Sequence, residues 1–189
     1  VCVCLLLSSA ACCCLLLPAV AAGQKLISLA LQEGPHHAPQ QSALSATLNE
    51  GDYILSGTKL MVLDAVSAHT FIVIARPSGT PDEEQGLSAF LLDAGTAGLT
   101  VERRSLVDSR SAGALVCDNV RVPAANLLGA PGSAWVGLNR ALDIANIGLA
   151  SELLGVSTEV FERTIAYLQE RKQFGRVIGS FQGLQHRAA

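Results

Sequence analysis

From Ala134 onward the apolar residues change their period, and no other feature constrains the fold as tightly. Trp135, Leu138, Leu142, Ala145, Leu149, Leu153, Val156, Val160 and Ile165 recur at three- to five-residue steps, and no proline falls between Ser133 and Ala189. The pattern predicts one helix running to about Arg171, roughly 55 Å long at 1.5 Å per residue. So long a helix exceeds what a small β unit can cover and needs other helices beside it. Gly175 and Gly179 predict a turn, and Ser180 is the expected N-cap of a second helix. That helix has barely begun at Ala189, so the chain reads as cut within an element.

Upstream the texture is that of short strands. Lys25 to Leu31 alternates and is broken by Gln32-Glu33-Gly34-Pro35. Ala43 to Leu63 reads as strand, turn and strand, with Asn49-Glu50-Gly51-Asp52 as the turn. Thr70-Phe71-Ile72-Val73-Ile74-Ala75 is a continuous β-branched and aromatic run, which predicts a strand covered on both faces. After a Pro-, Gly- and acid-rich loop, further strands are expected over Leu87–Leu92, Leu99–Leu106 and Ala114–Val122. This spacing predicts a compact antiparallel β-barrel or sandwich, and with the helical C-terminal part an α+β class.

The 13 basic and 16 acidic residues all follow Gln24 and give a net charge of −3. No run of Lys or Arg exceeds two residues, so a surface for nucleic acid is not expected. The uncharged stretch Val1 to Ala22 is long enough to span a bilayer, and Ala19-Val20-Ala21 resembles a signal cleavage site. Against both stand the missing basic flank and Pro18, while Ser8, Ser9, Ala10 and Ala11 give the mixed face of a buried helix. Cys2, Cys4, Cys12, Cys13, Cys14 and Cys117 have neither zinc spacing nor a disulfide framework, and read as small buried hydrophobes in a reducing compartment. His36 and His37 are adjacent in a Pro-rich loop and, like the isolated His69 and His186, do not suggest a metal.

The sequence has no GxSxG, P-loop or GxGxxG. The unusual segment is Glu170-Arg171-Lys172-Gln173-Phe174-Gly175-Arg176, followed by Ile178-Gly179-Ser180-Phe181-Gln182. It can be a basic helix C-cap, or a site where Arg171 meets a pyrophosphate and Phe174 a flat heterocycle. Continued through His186, this segment resembles the acyl-CoA dehydrogenase flavoprotein family. So do Asp118-Asn119-Val120-Arg121-Val122-Pro123-Ala124-Ala125-Asn126-Leu127-Leu128-Gly129 and Gly51-Asp52-Tyr53-Ile54-Leu55-Ser56-Gly57-Thr58-Lys59. The three stand in family order and the resemblance covers about residues 15 to 189.

The resemblance implies a remnant of an N-terminal helical domain over 1–27, a middle β domain over 28–133, and the start of a C-terminal helical bundle over 134–189. It turns the N-terminal run into a buried helix rather than a membrane or signal segment. It implies FAD as cofactor, an acyl-CoA thioester as substrate, a homo- or hetero-tetramer and an electron-transfer flavoprotein as acceptor; a cytoplasmic location is expected. In the family a base removes the α proton while the flavin receives the β hydride; that base is expected beyond the point matching Ala189, so no catalytic residue is assigned.

The family's flavin loop matches Leu31-Gln32-Glu33-Gly34-Pro35-His36-His37-Ala38-Pro39. Gln32 stands where a hydroxyl usually meets the flavin, and Ala38 where a serine usually meets the substrate. The second flavin segment matches Met61-Val62-Leu63, with Leu63 in place of a threonine. On the long helix Asp143 falls at a substrate-side position, and Asn146 replaces an arginine whose charge-assisted bond an amide cannot match. Arg171, Gln173, Phe174 and Gln182 keep the family pattern, which serves the FAD of a neighbouring subunit. Preserved lent residues beside an eroded own site also fit a less catalytic partner subunit of a heteromeric enzyme, or a non-functional remnant.

Overall fold

Every residue of the strand Thr70–Ala75 is buried, as its unbroken β-branched and aromatic run requires. The computed structural model describes residues 10–108 and 110–189, with side chains from residue 16 onward. The reading of residues 1–9 lies outside the described residues. In chain order the elements are α1 (Ala10–Ala21), β1 (Ile27–Ala30), β2 (Ser45–Asn49), β3 (Asp52–Leu63), β4 (Thr70–Ala75), β5 (Ser88–Asp93), β6 (Leu99–Ser105) and β7 (Ser111–Pro123). A 3₁₀ turn (Ala124–Asn126), β8 (Leu127–Leu128), α2 (Ala134–Glu170), β9 (Lys172–Gln173), β10 (Arg176–Val177), a second 3₁₀ turn (Ile178–Ser180) and α3 (Gln182–Ala188) complete it. Two compact units result, one ending at Leu142 and the other spanning Asp143–Ala189, with α2 running through the boundary.

β9 and β10 pair with each other, and the first eight strands form two four-stranded sheets, β1-β4-β5-β8 and β2-β3-β7-β6. Neither closes into a barrel, so of the two architectures expected the sandwich is the one adopted. One pairing departs from the antiparallel expectation: β1 runs parallel to β4, with Ile27 opposite Thr70. Between them the chain leaves to build β2 and β3 in the other sheet, and a crossover of that length permits parallel pairing where a hairpin would not.

Two cores explain the burial. Phe71, Val73 and Phe90 of the first sheet meet Tyr53, Leu55, Leu115 and Val120 of the second. The Tyr53 and Phe90 rings lie 4.9 Å apart and tilted by 60°, a favourable aromatic geometry. The opposite face of β4, through Ile72 and Ile74, packs with Leu87, Leu128, Ala134 and Leu138. Leu16 and Leu17 of α1 sit against this second core, as expected of a helix belonging to the fold rather than to a membrane. Each fully buried Phe or Ile in these layers contributes about 1.5–3 kcal/mol.

In the second unit the expectation for Ser180 fails. Phe181 occupies the N-cap position of α3 and no side chain caps that helix. Ser180 Oγ instead donates to the Val177 carbonyl at 2.7 Å, closing the preceding turn. A serine hydroxyl bonds local carbonyls as readily as it caps, and here the turn takes it.

Candidate functional site

β1 continues past its last paired residue. Leu31 and Gln32 carry the chain across β3, where the Leu60 N–H donates to the Gln32 carbonyl at 2.6 Å. Beside this crossing lies a cavity of about 350 Å³ lined by Leu31, Gln32, Met61 and Leu63, with Ser28 and Asp64 as further polar groups. The Ser28 hydroxyl donates to the Leu63 carbonyl and ties the two strands together at the cavity floor.

A backbone irregularity aims these side chains. Along β3, Tyr53, Leu55 and Lys59 point inward. Strict alternation would also turn Met61 and Leu63 into the core. The register against β7 slips between Lys59 and Val62, and Met61 takes the left-handed conformation at φ 51°. A bulge of this kind shifts side-chain parity by one. Val62 becomes the core residue, while Met61 and Leu63 stand half-exposed at the cavity.

A second cavity, of about 310 Å³, shares Gln32 with the first and is lined also by Glu33, Ala38, Ser42 and Asp82 among others. The loop framing it is held by an unusual charge. Lys59 has no exposed side-chain surface, and its Nζ donates to the Leu31 carbonyl at 3.1 Å, Ser42 Oγ at 3.0 Å and Glu33 Oε1 at 2.5 Å. Glu33 also accepts the Ser42 hydroxyl and the N–H groups of Ala43 and Leu44. Burial pushes the Glu33 carboxyl up, but the Lys59 charge and the hydrogen bonds from Lys59, Ala43 and Leu44 outweigh it and hold it below its ordinary value. Burial lowers the Lys59 ammonium, and the Glu33 charge restores only part of that. Arg76, also buried, fastens the outer rim by donating to the carbonyls of Gln40, Ser42, Pro81, Glu83 and Gln85.

The site residues named from sequence separate into groups. Leu31, Gln32, Met61 and Leu63 line one cavity; Ala38 lines the other. Val62 turns its side chain into the core, leaving its backbone alone at the cavity strand. Gln32 spends its amide on its own loop: Nε2 donates to the His36 carbonyl at 2.8 Å, and Oε1 accepts the Ala38 N–H at 3.4 Å. The residues that sequence reasoning passed over are Glu33, Ser42 and Lys59. The signal was available, since Lys59 shares parity with the core residues Tyr53 and Leu55.

In the second unit, Asp143 and Asn146 are exposed on α2. Arg171 and Gln173 are exposed in the turn that follows, where Lys172–Gln173 pairs with Arg176–Val177. Phe174 and Gly175, at φ 53° and 76°, form the hairpin turn, which needs positive φ at both central positions. Phe174 is 90% exposed, edge-on to Phe181 at 6.2 Å. The Arg176 guanidinium lies 4.1 Å from the Phe181 ring, and Gln182 opens α3. The second unit thus presents a basic, aromatic and amide-bearing turn to solvent.

The acyl-CoA dehydrogenase middle-domain model matches residues 31–120 and the C-terminal-domain model residues 135–189. The chain belongs to the acyl-CoA dehydrogenase family. An acyl-CoA dehydrogenase of Bacillus subtilis (strain 168) is 33% identical over 178 residues, covering 91% of this chain and 46% of that protein. The mitochondrial short/branched chain specific acyl-CoA dehydrogenase of Bos taurus is 34% identical over 172 residues, covering 89% and 40%. A glutaryl-CoA dehydrogenase from Mycobacterium smegmatis, solved in complex with FADH2, superposes with a TM-score of 0.82 at 30% identity, covering 96% of this chain and 46% of that one. The chain therefore spans less than half the length of each of these three relatives. By length and composition α2 could cross a membrane, but it lies almost wholly within the match to the family's C-terminal domain.

Proposed function

We propose that the protein carrying this chain is an FAD-dependent acyl-CoA dehydrogenase that oxidises the α,β carbon–carbon bond of an acyl-CoA thioester. The observation that carries the reading is the convergence of the β1 extension and the β3 bulge on one cavity. Leu31, Met61 and Leu63 give it apolar walls, and Gln32, Ser28 and Asp64 polar edges. Such a lining fits one face and edge of a flat heterocycle. Leu31, Gln32, Met61 and Leu63 would hold the flavin ring, with backbone groups of 61–63 at its polar edge. When bound, the flavin supplies the two-electron acceptor for the β hydride. The chain's own part is to fix the ring, to exclude water from one face, and to frame the thioester beside Ala38.

Arg171, Gln173, Phe174 and Gln182 would serve the FAD of a neighbouring subunit in a tetramer, in which bundle helices cover the exposed apolar face of α2. An electron-transfer flavoprotein is the proposed acceptor and the cytoplasm the proposed location.

One observation favours a second reading, a non-catalytic partner subunit. Leu63 offers no hydroxyl, and the Gln32 amide is occupied within its loop, so the cavity is poorer in side-chain donors than the family pattern. The experiment is dye reduction by the full-length protein, purified alone with FAD and offered acyl-CoA thioesters of several chain lengths. Turnover by the lone protein supports the enzyme. Turnover only after adding a homologous subunit supports the partner reading, and no turnover in either case contradicts both.

A further inference from the structure

Lys59 lines neither cavity and Glu33 lines only the second, and the geometry of the pair is directed. All three acceptors of Lys59 sit on one segment: the Leu31 carbonyl, Glu33 and Ser42. Glu33 then reaches forward to the N–H groups of Ala43 and Leu44, ten and eleven residues on. One ion pair thus ties the start of the loop to its end. Gln32 adjoins Glu33 in the chain and lines both cavities. Its carbonyl is held by Leu60, the neighbour of Lys59, and its amide spans the loop to His36 and Ala38.

Stability alone does not call for this arrangement. A buried ion pair is commonly replaced by apolar residues without loss of stability, because desolvation cancels most of the attraction. What apolar residues cannot do is fix a carbonyl, a hydroxyl and two backbone N–H groups in register. We infer that Lys59 and Glu33 form a positioning clasp that sets Gln32 as the shared wall between the flavin cavity and the thioester cavity. The inference rests on the reading above that the first cavity takes FAD. Lys59 reaches neither cavity, and the Glu33 carboxylate at the edge of the second is taken up by Lys59, Ser42, Ala43 and Leu44; both act through the backbone of 31–33 and 42–44. Loosening the clasp disturbs both cavities at once, since one residue walls both.

The test uses the full-length protein as Glu33→Met, Lys59→Met and the double variant, in which neither side chain can hold the Ala43 and Leu44 N–H groups, with Gln32→Ala as a change that leaves the ion pair intact. Three quantities are read: the urea midpoint, FAD affinity by flavin-fluorescence titration, and hydrogen-exchange protection of the Ala43 and Leu44 amides. Both single changes lower the midpoint and weaken FAD about tenfold, the size of one lost charge-assisted hydrogen bond. The double variant recovers the midpoint but keeps the weakened FAD binding and the fast exchange at Ala43 and Leu44. Gln32→Ala weakens FAD with the midpoint unchanged. Recovery of FAD affinity and protection together with the midpoint in the double variant overturns the clasp, as does unaltered FAD affinity in the single variants. A wild type that takes up no FAD contradicts the cofactor reading and the flavin half of this inference. The exchange measurement needs no flavin, so retained protection in the double variant overturns the clasp independently.

Discussion

Val62 and Leu63 are neighbours in sequence whose side chains have opposite fates, and truncating each to alanine tests the bulge that separates them. Val62 is 1% exposed and packed between the sheets. Losing its two methyl groups costs about 1.5–2.5 kcal/mol, from roughly 0.8 kcal/mol per buried carbon plus the cavity left behind. Leu63 is 52% exposed. Its three lost carbons would be worth about 2.4 kcal/mol if fully buried, so about half of that, near 1 kcal/mol, is the expected stability cost. The other half is surface that a docked ring covers, so Leu63→Ala weakens FAD binding by about fivefold, again ~1 kcal/mol. Val62→Ala leaves FAD affinity within about twofold. Urea unfolding and FAD titration on the same preparations separate the two effects. A larger stability loss at Leu63 than at Val62, or a weaker FAD effect, would show that the bulge at Met61 does not set the parity of the cavity strand.

Further consequences follow from other contacts. Glu33 is held below its ordinary pKa, so its folded form carries stability that is present at neutral pH and lost as pH falls through that depressed value. Urea midpoints of the wild type should fall in that acid window, and those of Glu33→Gln should fall less steeply. Burial raises the Cys117 thiol to about 11, with the Lys59 charge opposing; iodoacetamide at neutral pH should leave the Cys117 peptide unmodified until urea is added. Gly57 has φ 143°, and a Cβ there would lie 3.0 Å from the Leu44 backbone. Gly57→Ala should therefore cost about 1–3 kcal/mol in urea unfolding; a smaller loss would mean that Leu44 yields freely. Arg176→Ala removes an exposed cation–π contact with Phe181, and thermal stability should fall by less than about 1 kcal/mol.

The strands were legible where local chemistry dictates them. The run Thr70–Ala75 announces a strand with two covered faces, and the turn Asn49–Asp52 announces the hairpin of β2 and β3. The parallel partner of β1 was not legible, because it depends on where the chain returns after an excursion through the other sheet. The positive φ of Met61 was hidden for a related reason: methionine has no preference for that conformation, and only the pairing with β7 imposes it. At the site, the residues around the first cavity were readable through family resemblance, whereas the engagement of Gln32 with its own loop was not. A resemblance aligns positions, while hydrogen-bond partners depend on side-chain length, and the glutamine amide reaches His36 and Ala38 where a shorter hydroxyl would not. The Ser180 cap failed on similar grounds: the 3₁₀ turn takes in Ser180 itself, so the N-cap of the helix falls one residue later, at Phe181.

The most direct measurement is an experimental structure of the full-length protein equilibrated with FAD. The account predicts the isoalloxazine ring in the cavity between the β1 extension and β3, against Leu31, Met61 and Leu63, with the Lys59–Glu33 pair intact beside Gln32. A saturated protein whose ring lies elsewhere, or whose cavity is filled by its own side chains, would contradict it.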